Sequence, residues 1–208
     1  AAAGRQRRPD RHRHRQGCSS NEPCYPTFYD FLVDGDAVVF VLDGSLNMAG
    51  TGEFLILTRE TIDSVYRLRP DETFGIAIFD SGVSAFPATG STVAAVADAK
   101  MAAVHFLNGW TMDSTGSCVG SALDAALRMA KAADGAKKQL FLVMAGGGTC
   151  EDADPTAYFE ATLDAVADLN RGEATIHAVG ERSPPAVLEG FLQRLASENG
   201  GEYRRIDR

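Results

Sequence analysis

The sequence predicts an α/β domain, with a doubly wound, mostly parallel central sheet and helices on both faces. Two observations predict it. Three short, continuous apolar runs, Ala37–Leu42 (AVVFVL), Thr73–Phe79 (TFGIAIF) and Gln139–Met144 (QLFLVM), read as strands buried on both faces. Segments with helical spacing lie between them, and strands alternating with helices imply parallel crossover units. The chain has 208 residues, 45% of them hydrophobic, which is ample for one core and short for two ordinary domains.

Taken in order, residues 1–17 are polar and rich in Arg and His, and are expected to be a disordered basic arm, because they offer too little apolar surface to offset ordering entropy. Residues 18–36, with Pro23 and Pro26, are expected to be an irregular lead-in or a short edge element. The folded domain is placed at 37–208. After the first strand, residues 53–68 carry Phe54, Leu57, Ile62, Val65, Tyr66 and Leu68 at helical spacing, and Arg69-Pro70 ends that helix. Val83–Phe86 follows the turn at Ser81-Gly82 as a short strand. Ala-rich Thr92–Leu107 and then Gly120–Ala133 read as helices. Gly146-Gly147-Gly148 halts the third buried strand. Asp154-Pro155 is a cap and first-turn proline for a helix over 155–169. Ala174–Val179 is a strand, Pro185–Asn199 a helix stopped by Asn199-Gly200-Gly201, and Glu202–Ile206 a final edge strand.

Charge is distributed unevenly. Six arginines against Asp10 give residues 1–17 a formal charge of +5, which leaves −13 on the remainder of a chain whose net charge is −8. No run approaches the ~18 apolar residues of a membrane helix, and the charged start lacks the apolar stretch of a secretory signal. The first residue is Ala, so the sequence reads as a processed or truncated piece. The four cysteines contain no C-x-x-C pair, which argues against zinc-ribbon and thioredoxin-type sites. Cys18 and Cys24 are close enough to close a small loop, and Cys118 and Cys150 fall in two loops that the predicted fold brings near each other. Spacing alone leaves the pairing open, and reduced thiols remain the alternative.

In an open α/β sheet, ligands bind at the carboxyl ends of strands where the strand order reverses. That directs attention to the loops after Leu42 and Met144. The first reads Asp43-Gly44-Ser45-Leu46-Asn47-Met48. With Arg69-Pro70-Asp71-Glu72-Thr73-Phe74, Ile78-Phe79-Asp80-Ser81, Gly116-Ser117 before Ala122-Leu123, Leu142-Val143-Met144-Ala145-Gly146, Ile176-His177-Ala178-Val179-Gly180 and the closing Leu195–Tyr203, it follows an order that resembles von Willebrand factor type A domains over roughly residues 37–206. The resemblance implies their Rossmann-like fold and a role in protein binding. It also implies a metal-ion-dependent adhesion site. There, two serines and a threonine hold a divalent cation, usually Mg²⁺, two aspartates often act through water, and one position stays open for a partner's carboxylate.

Measured against that pattern, Asp43 and Ser45 match, Asn47 replaces the second serine, Ser117 replaces the threonine, and Ala145 replaces the third-loop aspartate. The metal set implied is therefore Asp43, Ser45, Asn47 and Ser117, with one carboxylate where two are usual. The bland reading of the same four is a hydrogen-bonded polar cluster that satisfies loop backbone without an ion. No cofactor is required on that reading, and Mg²⁺ is the ion the set would accept. Asp113, Glu151, Asp152 and Asp154 lie in neighbouring loops as substitute acids.

The expected function is a non-catalytic protein-interaction or scaffold module within a larger assembly. Its candidate contact residues are Trp110, Asp113, Glu151, Asp152 and, in the basic arm, Arg5, Arg7, Arg8, Arg11 and Arg13. Trp110, the sole tryptophan, reads either as packing beneath its loop or as an exposed anchor. The arm lacks aromatics for base stacking, so docking into an acidic protein groove is expected over nucleic acid. An extracytoplasmic or membrane-associated setting, reached through partners, is slightly favoured. The first alternative is metal-dependent adhesion through Mg²⁺. The second is a phosphatase-like hydrolase using Asp43, against which Ser45 stands where such enzymes need a second acid. Neither G-x-S-x-G nor a phosphate-binding glycine motif is present, so Gly146–Gly148 reads as a turn. His177 reads as packed within a strand, and His105 has no evident partner.

Overall fold

The computed structural model describes residues 26–49, 52–146, 149–150, 153–180 and 183–206. The arm assigned to 1–17, together with Cys18 and Cys24, lies outside these. The strands are β1 (Thr27–Phe28), β2 (Phe31–Leu32), β3 (Ala37–Asp43), β4 (Thr73–Phe79), β5 (Val83–Phe86), β6 (Val93–Ala94), β7 (Lys138–Met144), β8 (Thr175–Gly180) and β9 (Tyr203–Arg205). The helices are α1 (Glu53–Arg67), α2 (Ala97–Asn108), α3 (Val119–Ala132), α4 (Pro155–Asn170) and α5 (Ala186–Glu198). None of the described helices is long and apolar enough to cross a membrane.

The sheet order is β5-β4-β3-β7-β8-β9, with β6 also on β4. Strands β4, β3, β7, β8 and β9 are mutually parallel, while β5 and β6 run antiparallel to β4. After β3 the chain moves outward to β4, then returns to the other side of β3 as β7. The order therefore reverses between β3 and β7, and the crevice at their carboxyl ends is where such folds place a site.

Each buried strand serves two cores, because successive side chains point to opposite faces. Val39, Val41, Leu140, Leu142, Ile176 and Ala178 pack under α3, α4 and α5. Val38, Phe40, Leu42, Phe141, Val143 and Val179 pack on the other side, with residues of α1 and α2. On α3, Val119, Ala122, Leu123, Ala126, Leu127 and Ala130 recur at the three- and four-residue steps that make one apolar stripe. On α1 the stripe keeps Leu57 and Val65, but Tyr66 is 49% exposed and does not belong to it.

Two expectations need correction. The helix read from Thr92 starts at Ala97, because Val93–Ala94 pair with β4 at Phe74 and Thr73. The Ala95 amide then donates to the Glu72 carbonyl (2.9 Å). The backbone groups on that flank of β4 outweigh the helix propensity of the alanines. In the lead-in, the described residues 26–36 include regular structure where an irregular segment or a short edge element was expected. β1 and β2 form a hairpin whose Phe28, Tyr29, Phe31 and Val33 are buried. Its two-residue turn, Tyr29-Asp30, has φ of 47° and 66°, the left-handed pair that a tight hairpin needs. Gln139 fastens the hairpin to β7, accepting from the Asp34 amide (2.9 Å) and donating to the Leu32 carbonyl (3.3 Å).

His177 is packed, as expected for a strand position. Its ring stacks on Phe141 (5.2 Å) and lies 4.6 Å from Phe31. Its Nδ1 accepts from the Glu202 amide (3.2 Å). Burial pulls its pKa below 6.5, outweighing Glu202 and Asp34, while Arg204 acts with the burial. The folded state thus resists protonation more than the unfolded chain does. The associated stability is fully present above about pH 6.5 and is lost as pH falls through the lower folded pKa. Urea unfolding between about pH 7.5 and 5.5 should show this slope, and His177→Gln should flatten it.

Candidate functional site

Three loops meet at the carboxyl edge of β3, β4 and β7. Asp43 ends β3 and is fully buried. Its Oδ1 accepts from the Ser45 amide (3.0 Å) and its Oδ2 from the Ala145 amide (3.1 Å), so one carboxylate ties the first loop to the third. Gly44 lies flat against the core: its amide donates to the Phe79 carbonyl (2.8 Å), and its carbonyl accepts from Trp110 Nε1 (3.0 Å). A Cβ there would come within 2.4 Å of that indole nitrogen and 2.5 Å of Ile78. Leu46–Met48 form one 3-10 turn, anchored by buried Met48.

The second loop is laced to the first. The Leu46 amide donates to the Ser114 carbonyl (2.8 Å), and Asn47 Nδ2 to the Thr115 carbonyl (3.4 Å). It is joined to the third by the Ser117 amide donating to the Thr149 carbonyl (3.3 Å), and by a disulfide between Cys118 and Cys150. That resolves the pairing of these two cysteines. The Cys118 amide also donates to the Asp80 carbonyl (2.7 Å), placing Ser117 beside the end of β4.

The predicted site residues fare differently. Asp43, Ser45 and Ser117 are gathered at this edge, all fully buried. The hydroxyls of Ser45 and Ser117 have no hydrogen-bond partner among the described residues. Asn47 and Asp113 are exposed on the rim, with Leu46 at 40% exposure between loops one and two. Trp110 is half-buried, its indole committed to Gly44 and the core beneath, so packing is its primary engagement. Asp154 caps α4, accepting from the Ala157 amide (2.9 Å). Glu151, Asp152, Arg5, Arg7, Arg8, Arg11 and Arg13 lie outside the described residues. Asp80, one residue beyond β4 and almost fully buried, is a second acid at this edge that sequence reasoning placed in the resemblance but did not name as a site residue. Its Oδ1 accepts from the Gly82 amide (2.8 Å). The signal was available, since Asp80, like Asp43, directly follows a continuous apolar run.

As a cation site the set is mixed. Two unpartnered buried hydroxyls beside a carboxylate suit a hard divalent ion. The third loop, however, supplies the Ala145 amide where an acid would neutralise charge, and that amide occupies Asp43. Among the described residues, no group of three or more His, Cys, Asp or Glu gathers as a metal cluster. At the opposite end of the sheet, a shallow depression with a volume of about 10 Å³ is lined by Leu127, Lys131, Lys138, Asn170 and Glu173. It falls short of the roughly 300–1,000 Å³ of small-molecule sites.

No protein-family model and no curated protein matches the chain. Solved structures do. A von Willebrand factor type A protein from Catenulispora acidiphila is similar with a TM-score of 0.69 and 17% identity, over 85% of this chain and 40% of that one. The pilus adhesin SpaC from Lactobacillus rhamnosus GG, in its open conformation, is similar with a TM-score of 0.63 and 14% identity, over 85% of this chain and 28% of that one. Proximal thread matrix protein 1 from the mussel byssus, with a zinc-occupied metal-ion-dependent adhesion motif, is similar with a TM-score of 0.59 and 17% identity, over 81% of this chain and 41% of that one. The chain therefore has the von Willebrand factor type A fold, and it spans less than half the length of each of these three proteins.

Proposed function

We propose that this von Willebrand factor type A fold is a non-catalytic protein-recognition module, one part of a larger assembly, with the three-loop edge as its contact face. One observation carries the reading. The face is held together by the chain's own hydrogen bonds and a disulfide, with Leu46, Asn47 and Asp113 displayed outward and Asp43 sealed beneath them. A fully buried carboxylate that accepts two backbone amides serves a loop scaffold and is poorly placed to attack a substrate. This argues against a hydrolase built on Asp43. The pilus adhesin and byssal matrix proteins among the structural neighbours agree with protein partners. The disulfide agrees with an extracytoplasmic setting, or one at a membrane reached through partners. The arginines of the arm (Arg5, Arg7, Arg8, Arg11, Arg13) would add a salt-sensitive grip on an acidic partner surface.

The unpartnered Ser45 and Ser117 hydroxyls favour a second reading, in which Asp43, Ser45, Asn47 and Ser117 hold Mg²⁺. The ion would offer its open position to a partner carboxylate.

A photo-crosslinking residue at Leu46 or Asp113, compared with one at Lys131 on α3, tests the face. The first two positions should capture a protein that Lys131 does not, and capture should survive EDTA. Loss of capture in EDTA selects the metal reading. Equal capture from all three positions removes the proposed face. Hydrolysis of phosphate or ester substrates that Asp43→Asn abolishes overturns the non-catalytic reading.

A further inference from the structure

We propose that Cys150 is a thiol-modification site, at which a small or protein thiol opens the bond to Cys118 and uncouples the second loop of the face from the third. The two sulfurs are unequal. Cys118 is 3% exposed, whereas Cys150 is partly exposed in a loop. An incoming thiolate therefore reaches Cys150 Sγ. Cys118 is the N-cap of the 14-residue helix α3, and in the disulfide its side chain makes no capping hydrogen bond. On release its charge falls at the positive end of the helix, which favours Cys118 as the leaving group, and its Sγ, 3.3 Å from the Ser81 carbonyl, is placed to donate to that oxygen once protonated.

The attacking sulfur forms a bond to Cys150 Sγ, the Cys118–Cys150 bond breaks, and its electron pair leaves on Cys118. A monothiol such as glutathione stops at the mixed disulfide. A dithiol continues: its second thiolate attacks its own sulfur in the mixed disulfide, expels Cys150 as thiolate, and is oxidised to a disulfide as both cysteines are reduced. After that, the second and third loops are joined through the Ser117–Thr149 hydrogen bond (3.3 Å), the Asp43 network remaining as it was.

The regulatory meaning rests on the recognition reading above, but the chemistry does not. The oxidised full chain is incubated with glutathione at neutral pH without denaturant, acid-quenched and peptide-mapped by mass spectrometry. The adduct should sit on Cys150, with Cys118 as the free thiol, in excess over the reverse on the order of tenfold. After reduction by dithiothreitol, hydrogen exchange at the Ser117 amide should accelerate while β7 amides at Leu140–Leu142 stay protected. Cys118→Ala should reproduce the faster exchange without reductant; if it fails to fold, the wild-type map still decides. An adduct mainly on Cys118, no adduct without denaturant, or unchanged Ser117 exchange overturns the proposal. A failed crosslink at Leu46 removes the partner and leaves this map untouched.

Discussion

Phe28→Ala is expected to lower the unfolding free energy by about 3–5 kcal/mol. Phe28 is fully buried, with ring centroids 5.0 Å from Phe40 on β3, 5.5 Å from Phe141 on β7 and 4.9 Å from Tyr29. Truncation leaves a cavity between the hairpin and the two central strands, and rigid strands cannot collapse into it. Neighbouring contacts would not compensate, because they too depend on the hairpin's seat. The Thr27 carbonyl accepts from Ser64 Oγ on α1 (2.7 Å), and the Arg204 guanidinium stands 4.0 Å over the Phe31 ring. Chemical denaturation with the m-value monitored checks this. A loss below about 1 kcal/mol, typical of a surface change, would mean that the hairpin is an ornament and the domain starts at β3.

Asp43→Ala is expected to cost on the order of 2–5 kcal/mol, since it strands two buried amide donors, Ser45 and Ala145. The loss should be concentrated at the face. Trp110 is the sole tryptophan and its indole bonds the residue next to Asp43, so its emission reports the first loop directly. The variant should shift that emission to the red and speed amide exchange at Ser45 and Ala145. Asp43→Asn retains one carbonyl acceptor and should recover part of both signals. Equal losses in the two variants would point to the charge rather than the amide bonds as the stabilising feature.

Much of this was readable from residues. The unbroken apolarity of AVVFVL, TFGIAIF and QLFLVM located β3, β4 and β7 to within one residue, because strands buried on both faces have no polar side to confuse the period. The Asp154-Pro155 cap and the Gly200 stop were legible because each does a local job: Asp154 receives an amide, and Gly200 sits at φ 70°. The hairpin was not legible because its turn is Tyr-Asp, not a glycine or asparagine pair, and tertiary contacts hold those residues in the left-handed region. β6 was hidden because its pairing partner lies at the start of β4, about twenty residues earlier along the chain. At the site, Asp43, Ser45 and Ser117 followed from the resemblance. That Ala145 replaces a carboxylate with a backbone donor is a property of the folded loop and had no side-chain signature.

In the proposed recognition face, Asp43 accepts from the backbone amides of Ser45 and Ala145, and the loops are held by the chain's own hydrogen bonds and disulfide. Calorimetric titration of Mg²⁺ and Mn²⁺ into the wild-type chain, with Asp43→Asn alongside, decides between these amides and a bound cation. No saturable heat is expected in either protein. Saturable binding to the wild type that Asp43→Asn abolishes would contradict that expectation, and would assign the Ser45 and Ser117 hydroxyls to a bound cation.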